Sequence, residues 1–251
     1  MHKPSRDGRI DRLSGLAAGG ILILMLFSHG SAAATSDCVV LLHGLARTAA
    51  SMDDMAEALT EGGYRVVNVD YPSRDYKIEK LAPMAIGKGL TLCGDTAAEG
   101  QIHFVTHSLG GILVRYYLEE EKIVSLGRVV MLAPPNQGSH AADAMQGVPG
   151  FDWLNGPAGK QLGKGDDSVP LKLGPPDFEF AVIAGNRTID PVTSAVLEDP
   201  DDGKVTVEDT KLEGMRDFAV VPASHAYVMT NRIAIRLVLE FLANGKFGDG
   251  G

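Results

Sequence analysis

A serine stands where a run of apolar residues gives way to a stretch with helical spacing, in residues 106–111 (THSLGG). Residues 101–106 predict a buried strand, and residues 109–120 predict an amphipathic helix. A sharp turn from strand to helix raises a serine hydroxyl above the sheet and sets the next backbone N–H at a helix N-terminus, where negative charge is stabilised. The usual pattern is G-x-S-x-G, and here Thr106 replaces the first glycine. The segment therefore predicts a sheet-and-helix fold that carries a nucleophilic serine, Ser108.

The rest of the chain alternates in the same way. Short continuous apolar runs are typical of strands that are buried on both faces, and segments with helical periodicity lie between them. Strands that alternate with helices indicate a parallel sheet covered on both sides. We therefore expect an α/β fold with a mostly parallel sheet of about six strands. The predicted strands are residues 38–42, 64–69, 101–106, 128–132, 178–184 and 218–221, and the predicted helices are residues 52–61, 78–93, 109–120 and 230–243.

Residues 138–177 interrupt this alternation. They hold eight glycines and five prolines, and their large apolar residues have no clean period. Because the segment leaves from the end of a predicted strand, we expect an inserted cap or lid beside Ser108 rather than another sheet element. Phe151, Trp153 and Leu154 are candidates to line an acyl pocket or to form a flap. The alternative is that they form a small packed core of their own.

The first 34 residues differ from the rest in composition. Four basic residues precede the apolar run 16–27, and residues 31–34 (SAAA) are small. This order predicts a secretory signal peptide over residues 1–34, cleaved after Ala34. The apolar run is shorter than the roughly 20 residues of a membrane-spanning helix, and an uncleaved N-terminal anchor is the alternative. We expect a periplasmic or extracellular protein, or an anchored one facing the periplasm, in which residues 35–251 form a single domain.

Two cysteines, Cys38 and Cys93, would enter an oxidising compartment on export. Cys38 opens the first predicted strand, and Cys93 ends the helix that leads to the strand at 101–106. In a parallel sheet, the start of one strand and the end of the helix before its neighbour lie at the same edge. We therefore predict a disulfide between them, with two buried thiols as the alternative.

The charge balance narrows the range of partners. The chain has 23 basic and 32 acidic residues, a formal net charge of −9. Such a surface repels phosphate backbones and anionic lipid head groups. We expect no nucleic-acid partner, and membrane contact only if the N-terminal segment stays uncleaved.

A nucleophilic serine needs a base, and the base needs an orienting carboxylate. His225 lies between the last predicted strand and the last predicted helix, where α/β sheets place active sites. We predict His225 as the base, with a histidine that caps the helix as the alternative. Asp202, in a turn before the strand-like residues 205–207, is the favoured acid, and Asp190 is the second candidate. The remaining carboxylates of this region are expected to be solvated loop charges: Glu198, Asp199 and Asp201.

Acyl transfer also needs two backbone donors for the developing negative charge. The N–H of Leu109, directly after the serine, is one candidate. The other is the N–H of Leu45, because Gly44 before it lets the backbone approach closely. Arg47 follows this loop and is a candidate to contact a carboxylate or phosphate on a substrate. A surface salt bridge is the simpler expectation for Arg47.

These motifs resemble the α/β-hydrolase superfamily, specifically its bacterial lipase- and esterase-like branch. The resemblance covers about residues 38–243 and rests on residues 41–45 (LLHGL), 106–111 (THSLGG), 133–139 (APPNQGS), the turn at Asp202 and His225. It implies that the aspartate of the Asp-Gly turn is the acid, which favours Asp202 over Asp190. It also implies Leu45 and Leu109 as oxyanion donors.

Two features depart from that family. Thr106 stands in place of a glycine, and the chain before Cys38 leaves no room for the usual first two strands. The second departure predicts a compact core of six strands.

The resemblance implies a serine hydrolase that cleaves carboxylic esters through an acyl-serine intermediate, with Ser108, His225 and Asp202 as its triad. A thioesterase or an amidase would use the same residues, and a binding protein without turnover is a further alternative. The sequence has no H-E-x-x-H motif and no Cys/His cluster. We therefore expect no metal or cofactor, and a small or lipid ester as the partner.

Overall fold

The computed structural model describes residues 37–94, 100–145, 151–189, 197 and 200–248. Within these residues six strands form one sheet in the order β2-β1-β3-β4-β5-β6, and every neighbouring pair is parallel. The predicted fold class and the six-stranded core are therefore confirmed. The strands are β1 (Cys38–Leu42), β2 (Arg65–Val69), β3 (Ile102–His107), β4 (Leu126–Leu132), β5 (Phe180–Gly185) and β6 (Asp217–Val221).

The helices of the described residues lie between and after these strands. The four predicted helices are present. Three further short α-helices were not predicted, nor were two 3₁₀ helices, Ala49–Met52 and Val228–Thr230. One of the short helices starts at Val207, within the stretch that was expected to be strand-like. The helices are α1 (Asp53–Glu61), α2 (Ile78–Cys93), α3 (Leu109–Glu120), α4 (His140–Met145), α5 (Phe151–Lys160), α6 (Val207–Thr210) and α7 (Arg232–Asn244).

The core lies on both faces of the sheet. Successive strand residues point to opposite faces, so β1 sends Val40 and Leu42 into one cluster and Val39 and Leu41 into the other. Helices α2 and α3 cover the first face, and α1 and α7 cover the second. Every residue of β1, β3 and β5 is buried. Burial on both faces explains why β1 and β5 are nearly continuous apolar runs, whereas β3 also buries His103, Thr106 and His107.

Parallel pairing brings the ends of the central strands to one edge. Leu42 of β1 pairs with Thr106 of β3, and His107 pairs with Leu132 of β4. The loops after these strands therefore start side by side, which is the usual position of a site in an open α/β sheet.

The glycine- and proline-rich segment 138–177 contains helices α4 and α5 and several turns. The apolar residues of this segment show no regular helical spacing in the sequence because α5 is interrupted. Its backbone is not helical at Gly156, where φ is +64°, and Pro157 follows. A Cβ on Gly156 would collide with the backbone of Arg74, so this position requires glycine. Ala158, Leu162 and Val169 are buried in the first-face core. The part of the segment after Gly156 is thus packed into the sheet domain.

The predicted disulfide is confirmed. Cys38 and Cys93 are bonded, with a Cα–Cα distance of 6.0 Å. Cys38 is the first residue of β1, so the bond lies at the edge of the sheet opposite Ser108. Among the helices of the described residues, none combines the length and apolar character needed to cross a bilayer.

Candidate active site

Ser108 occupies the turn between β3 and α3. Its backbone has φ of 51° and ψ of −116°, a conformation that residues other than glycine rarely adopt. Such a residue costs about 1–3 kcal/mol and persists only where its surroundings hold it. The Ser108 N–H donates to the carbonyl of Leu132 over 2.9 Å. Because β4 anchors the turn in this way, the hydroxyl is fixed above the sheet.

Glycines on both sides of the turn permit this close packing. A Cβ on Gly110 would lie 2.7 Å from the carbonyl oxygen of Leu42, and a Cβ on Gly44 would lie 2.7 Å from Nδ1 of His107. The loop after β1 and the first turn of α3 therefore approach each other more closely than larger residues allow.

Thr106, which replaces the first glycine of the usual pattern, is also accommodated by a nearby glycine. Its side chain is buried, and its hydroxyl donates to the carbonyl of Val130 over 3.4 Å. A Cβ on Gly111 would lie only 3.2 Å from that hydroxyl oxygen. Gly111, which directly follows the second glycine of the motif, thus leaves the space that the larger residue at position 106 occupies.

His225 lies in the loop between β6 and α7, and its ring reaches the serine. Nε2 of His225 is 3.0 Å from Oγ of Ser108, and Nδ1 is 2.8 Å from Oδ2 of Asp202. With a proton on Nδ1, the ring donates to the carboxylate and accepts the proton of the serine hydroxyl. The structure thus brings together the three side chains predicted as nucleophile, base and acid.

Asp202 is held in place by its own turn. It is 1% exposed, and its Oδ1 accepts hydrogen bonds from the N–H groups of Lys204 (3.0 Å) and Val205 (2.8 Å). Its carbonyl accepts the N–H of His225 over 2.9 Å. A Cβ on Gly185, at the end of β5, would lie 3.0 Å from the Cβ of Asp202, so that glycine lets the turn approach the sheet.

The neighbouring Asp201 is buried as well, contrary to the expectation of a solvated charge. Its Oδ1 accepts the N–H of Gly203 over 2.6 Å, so it shapes the turn. The other predicted candidates in this region, Asp190, Glu198 and Asp199, lie outside the described residues.

His107 is a site residue to which the sequence analysis gave no role. Its ring is 4.9 Å from the ring of His225, and its Nε2 donates to the carbonyl of His225 over 2.9 Å. Burial lowers the pKa of His107 well below its usual value, and the nearby His225 and Arg47 lower it further. His107 is therefore a neutral donor that holds the backbone of the base. Its position directly before the serine was the signal available in the sequence.

His43 and Tyr71 brace the loop after β1. Nδ1 of His43 donates to the carbonyl of Gly44 over 2.8 Å, and its Nε2 accepts the N–H of Tyr71 over 3.3 Å. The two rings stack with centroids 4.1 Å apart, and the Tyr71 hydroxyl donates to the carbonyl of His43. Burial lowers the pKa of His43 and raises that of Tyr71, so both side chains are neutral. Tyr71 was not singled out from the sequence.

The two predicted oxyanion donors flank the serine. Leu109 is the first residue of α3, and Leu45 lines the same cavity as Ser108. The residue after Leu45, Ala46, has φ of 55°, and its N–H donates to Oγ of Ser73 over 3.1 Å. The strained backbone of Ala46 and its hydrogen bond to Ser73 thus fix the path of the loop beside the serine.

The cavity at Ser108 has a volume of about 260 Å³ and is partly open. Apolar residues such as Leu162 and Val205 share its wall with the polar Ser139 and Asn155. Phe151, Trp153 and Leu154 belong to α5, but their side chains lie outside what the structure describes. Within the described ranges, no three His, Cys, Asp or Glu side chains are grouped to hold a metal ion.

Comparisons with known proteins agree with this architecture. The model of the alpha/beta hydrolase family matches residues 39–238, whereas no curated protein matches the sequence. A mature lipase of Bacillus licheniformis has a TM-score of 0.62 at 18% identity, over 83% of this chain and 91% of that one. The phospholipase PlaB of Legionella pneumophila has a TM-score of 0.68 at 19% identity, over 85% of this chain and 60% of that one. A metagenomic carboxyl esterase has a TM-score of 0.64 at 17% identity, over 86% and 76%.

At such low identities the structural likenesses show a common fold and nothing finer. The family match is stronger evidence than these likenesses, because it runs from β1 into α7 and includes Ser108, Asp202 and His225. The chain belongs to the alpha/beta hydrolase family.

Proposed function

We propose that this protein hydrolyses carboxylic esters through an acyl-serine intermediate. The observation that carries the proposal is the line of hydrogen bonds from Asp202 through His225 to Ser108, beside an open cavity. The spacing satisfies the geometric requirement for a nucleophile, a base and an orienting group.

The reaction proceeds in two halves. In the first, His225 accepts the proton of Ser108 as its oxygen attacks the ester carbonyl, and Asp202 stabilises the imidazolium that forms. The backbone N–H groups of Leu45 and Leu109 hold the oxyanion, and a donor of this kind is worth about 3 kcal/mol of the barrier. His225 then protonates the departing alcohol. In the second half, His225 activates a water that releases the acid from Ser108.

Thioesterase and amidase chemistry remain alternatives, because both use the same proton transfers. A third alternative is a binding protein that has kept the residues without turnover. Purified protein should be tested with p-nitrophenyl esters of increasing acyl length, an acyl-coenzyme A and a p-nitroanilide. We expect turnover of the esters but not of the anilide, because an alkoxide or phenoxide leaves more readily than an amine. Faster turnover of the acyl-coenzyme A than of the esters would favour a thioesterase.

The S108A variant is the matched control for this panel. Wild-type protein should react with a fluorophosphonate probe and release p-nitrophenol, and S108A should do neither while unfolding at the same temperature. Folded wild-type protein that neither reacts with the probe nor hydrolyses any substrate would favour the binding protein.

Export is part of the proposal. The Cys38–Cys93 disulfide suits an oxidising compartment, and residues 1–34 read as a signal peptide. The mass of the protein recovered from a secreting host tests it: a chain beginning at Thr35 indicates cleavage, whereas a full-length chain in the membrane fraction indicates an anchor.

A further inference from the structure

The described residues that line the Ser108 cavity carry a charge opposite to that of the whole protein. The chain carries a formal net charge of −9. Among the described residues that line the cavity, the charged side chains are Arg47 and Lys204, and no aspartate or glutamate is included. The chain as a whole thus has more carboxylates than cations, whereas the described residues beside the nucleophile include two cations and no carboxylate. This difference suggests that the cations have a role at the site.

No acidic residue of the described ranges forms a salt bridge with Arg47. The surface ion pair that the sequence suggested is absent from the described residues, in which the arginine pairs involve Arg128 and Arg236. The Arg47 guanidinium instead donates to the carbonyl of Ala226 over 3.3 Å, directly after the base. Its charge is close enough to contribute to the lowered pKa of His107. The cation is therefore exposed at the mouth of the site, and its remaining donors face solvent.

Lys204 reaches the cavity from a different loop. Its backbone is fixed on both sides, because its N–H donates to Oδ1 of Asp202 over 3.0 Å and its carbonyl accepts the hydroxyl of Ser139 over 2.6 Å. Lys204 thus belongs to the turn that also carries the acid, and it lines the cavity. Arg47 follows β1 and Lys204 follows β5, so the two charges approach the site from separate strands.

We propose that the substrate is a short ester that carries a second, anionic oxyacid group, which Arg47 and Lys204 bind at the mouth of the cavity. The inference rests on the proposed ester hydrolysis at Ser108. A guanidinium matches a carboxylate or a phosphate with two parallel donors, and a lysine adds a point charge. The cavity, at about 260 Å³, is smaller than the roughly 300 Å³ at which ligand pockets usually begin, which favours short chains.

The test compares two esters that differ only in the terminal group: p-nitrophenyl hexanoate and the p-nitrophenyl monoester of adipic acid. We expect wild-type protein to have the higher kcat/KM for the adipate monoester. The R47Q and K204Q variants should each lower the ratio of the two kcat/KM values, by about three- to tenfold, and R47K should retain part of the preference. Higher ionic strength should reduce the wild-type ratio, because exposed charges are screened.

R232Q is the control, because Arg232 is exposed at the start of α7 and is not among the residues lining the cavity. It removes the same charge and should leave the ratio unchanged. A second pair, glycerol monobutyrate and butyryl-glycerol 3-phosphate, tests whether the anion is a phosphate. A preference confined to one pair identifies the oxyacid.

The two proposals fail in different ways. If wild-type protein hydrolyses none of the four esters, the proposed function fails. If it hydrolyses the neutral esters at least as well as the anionic ones, only the anion site is overturned. Equal losses on both esters in R47Q and K204Q would also overturn it, because the cations would then act on a step common to all esters. Calorimetry of S108A with monomethyl adipate gives a readout without turnover: the R47Q change should weaken this binding, and unchanged binding argues against the site.

Discussion

The ring of His107 donates a hydrogen bond of 2.9 Å to the backbone carbonyl of His225. A carbonyl can only accept, so the proton lies on Nε2 of His107, and the lowered pKa of this buried ring keeps it neutral. The residue before the nucleophile therefore holds the backbone of the base, which makes it a positioning residue for the proposed reaction.

Replacing His107 tests this role. H107F removes the donor and should lower kcat for a p-nitrophenyl ester by roughly three- to tenfold, with little change in KM, since a hydrogen bond is worth about 1 kcal/mol. H107Q is the matched control, because its amide nitrogen can take the place of Nε2, and it should recover most of the loss. Equal kcat values for the two variants would contradict the role.

Asp202 and Asp201 offer a paired test within one turn. D202N should lower kcat by about 1,000-fold or more, because an amide in place of Oδ2 no longer favours the imidazole tautomer that accepts the serine proton. D201N keeps an oxygen to accept the Gly203 N–H and should stay within a few-fold of wild type. The kcat values of D202N, D201N and wild type, measured by steady-state kinetics with one p-nitrophenyl ester, test this prediction. A larger loss in D201N would move the acid role away from Asp202.

Buried histidines should make stability depend on pH. Burial lowers the pKa of His43, His103 and His107 from the usual 6.5, so below pH 6.5 the unfolded chain binds more protons than the folded one. Their contribution to stability is complete above pH 6.5 and is lost as pH falls, by up to about 1.4 kcal/mol per pH unit for each histidine.

H103N isolates one of these groups, since its amide oxygen can still accept the Arg128 N–H that Nδ1 of His103 accepts over 2.7 Å. Urea unfolding between pH 5 and pH 8 should show a shallower loss of stability in H103N than in wild type at the acid end. Parallel curves for the two proteins would show that His103 does not contribute.

Arg115, in α3, connects the segment 138–177 to the sheet domain through hydrogen bonds. It is 3% exposed, and its guanidinium donates to the carbonyls of Asn136, Pro170 and Leu173. Burial lowers its pKa to about 10, so it stays charged at neutral pH. R115M leaves these carbonyls without their donor and should lower the free energy of unfolding by about 2–4 kcal/mol.

R115K should fall between R115M and wild type in urea unfolding, because it keeps the charge but has fewer donors in the plane. A loss below about 1 kcal/mol in R115M would show that water or neighbouring groups satisfy the carbonyls. The same variants should be cleaved faster by protease near residue 170 if the guanidinium holds the returning end of the segment.

The disulfide should affect stability and leave catalysis alone. It joins residues 55 positions apart at the edge of the sheet away from Ser108. The C38A/C93A double variant should lose about 4 kcal/mol of stability in the chain-entropy view, with an unchanged kcat at 25 °C. Thermal unfolding with and without a reductant checks this: reductant should lower the melting temperature of wild type only.

Local patterns were enough to predict the strands, the main helices and their alternation. Burial on both faces of a parallel sheet demands continuous apolar runs, and these are visible in the sequence around Val40 and Val182. The position of Ser108 in a strand-to-helix turn and of His225 after the last strand followed from the same order. The cysteine pair was also predictable, because topology alone decides which ends meet at one edge.

Other features depended on contacts between distant segments. Asp201 and Asp202 are adjacent in the chain, and only the packed turn determines that the second faces His225. The space beside Thr106 exists because Gly111, in the first turn of the next helix, lies against it. Sequence periodicity reports which side of an element is buried, whereas hydrogen-bond direction and side-chain clearance depend on atoms brought together by the tertiary fold.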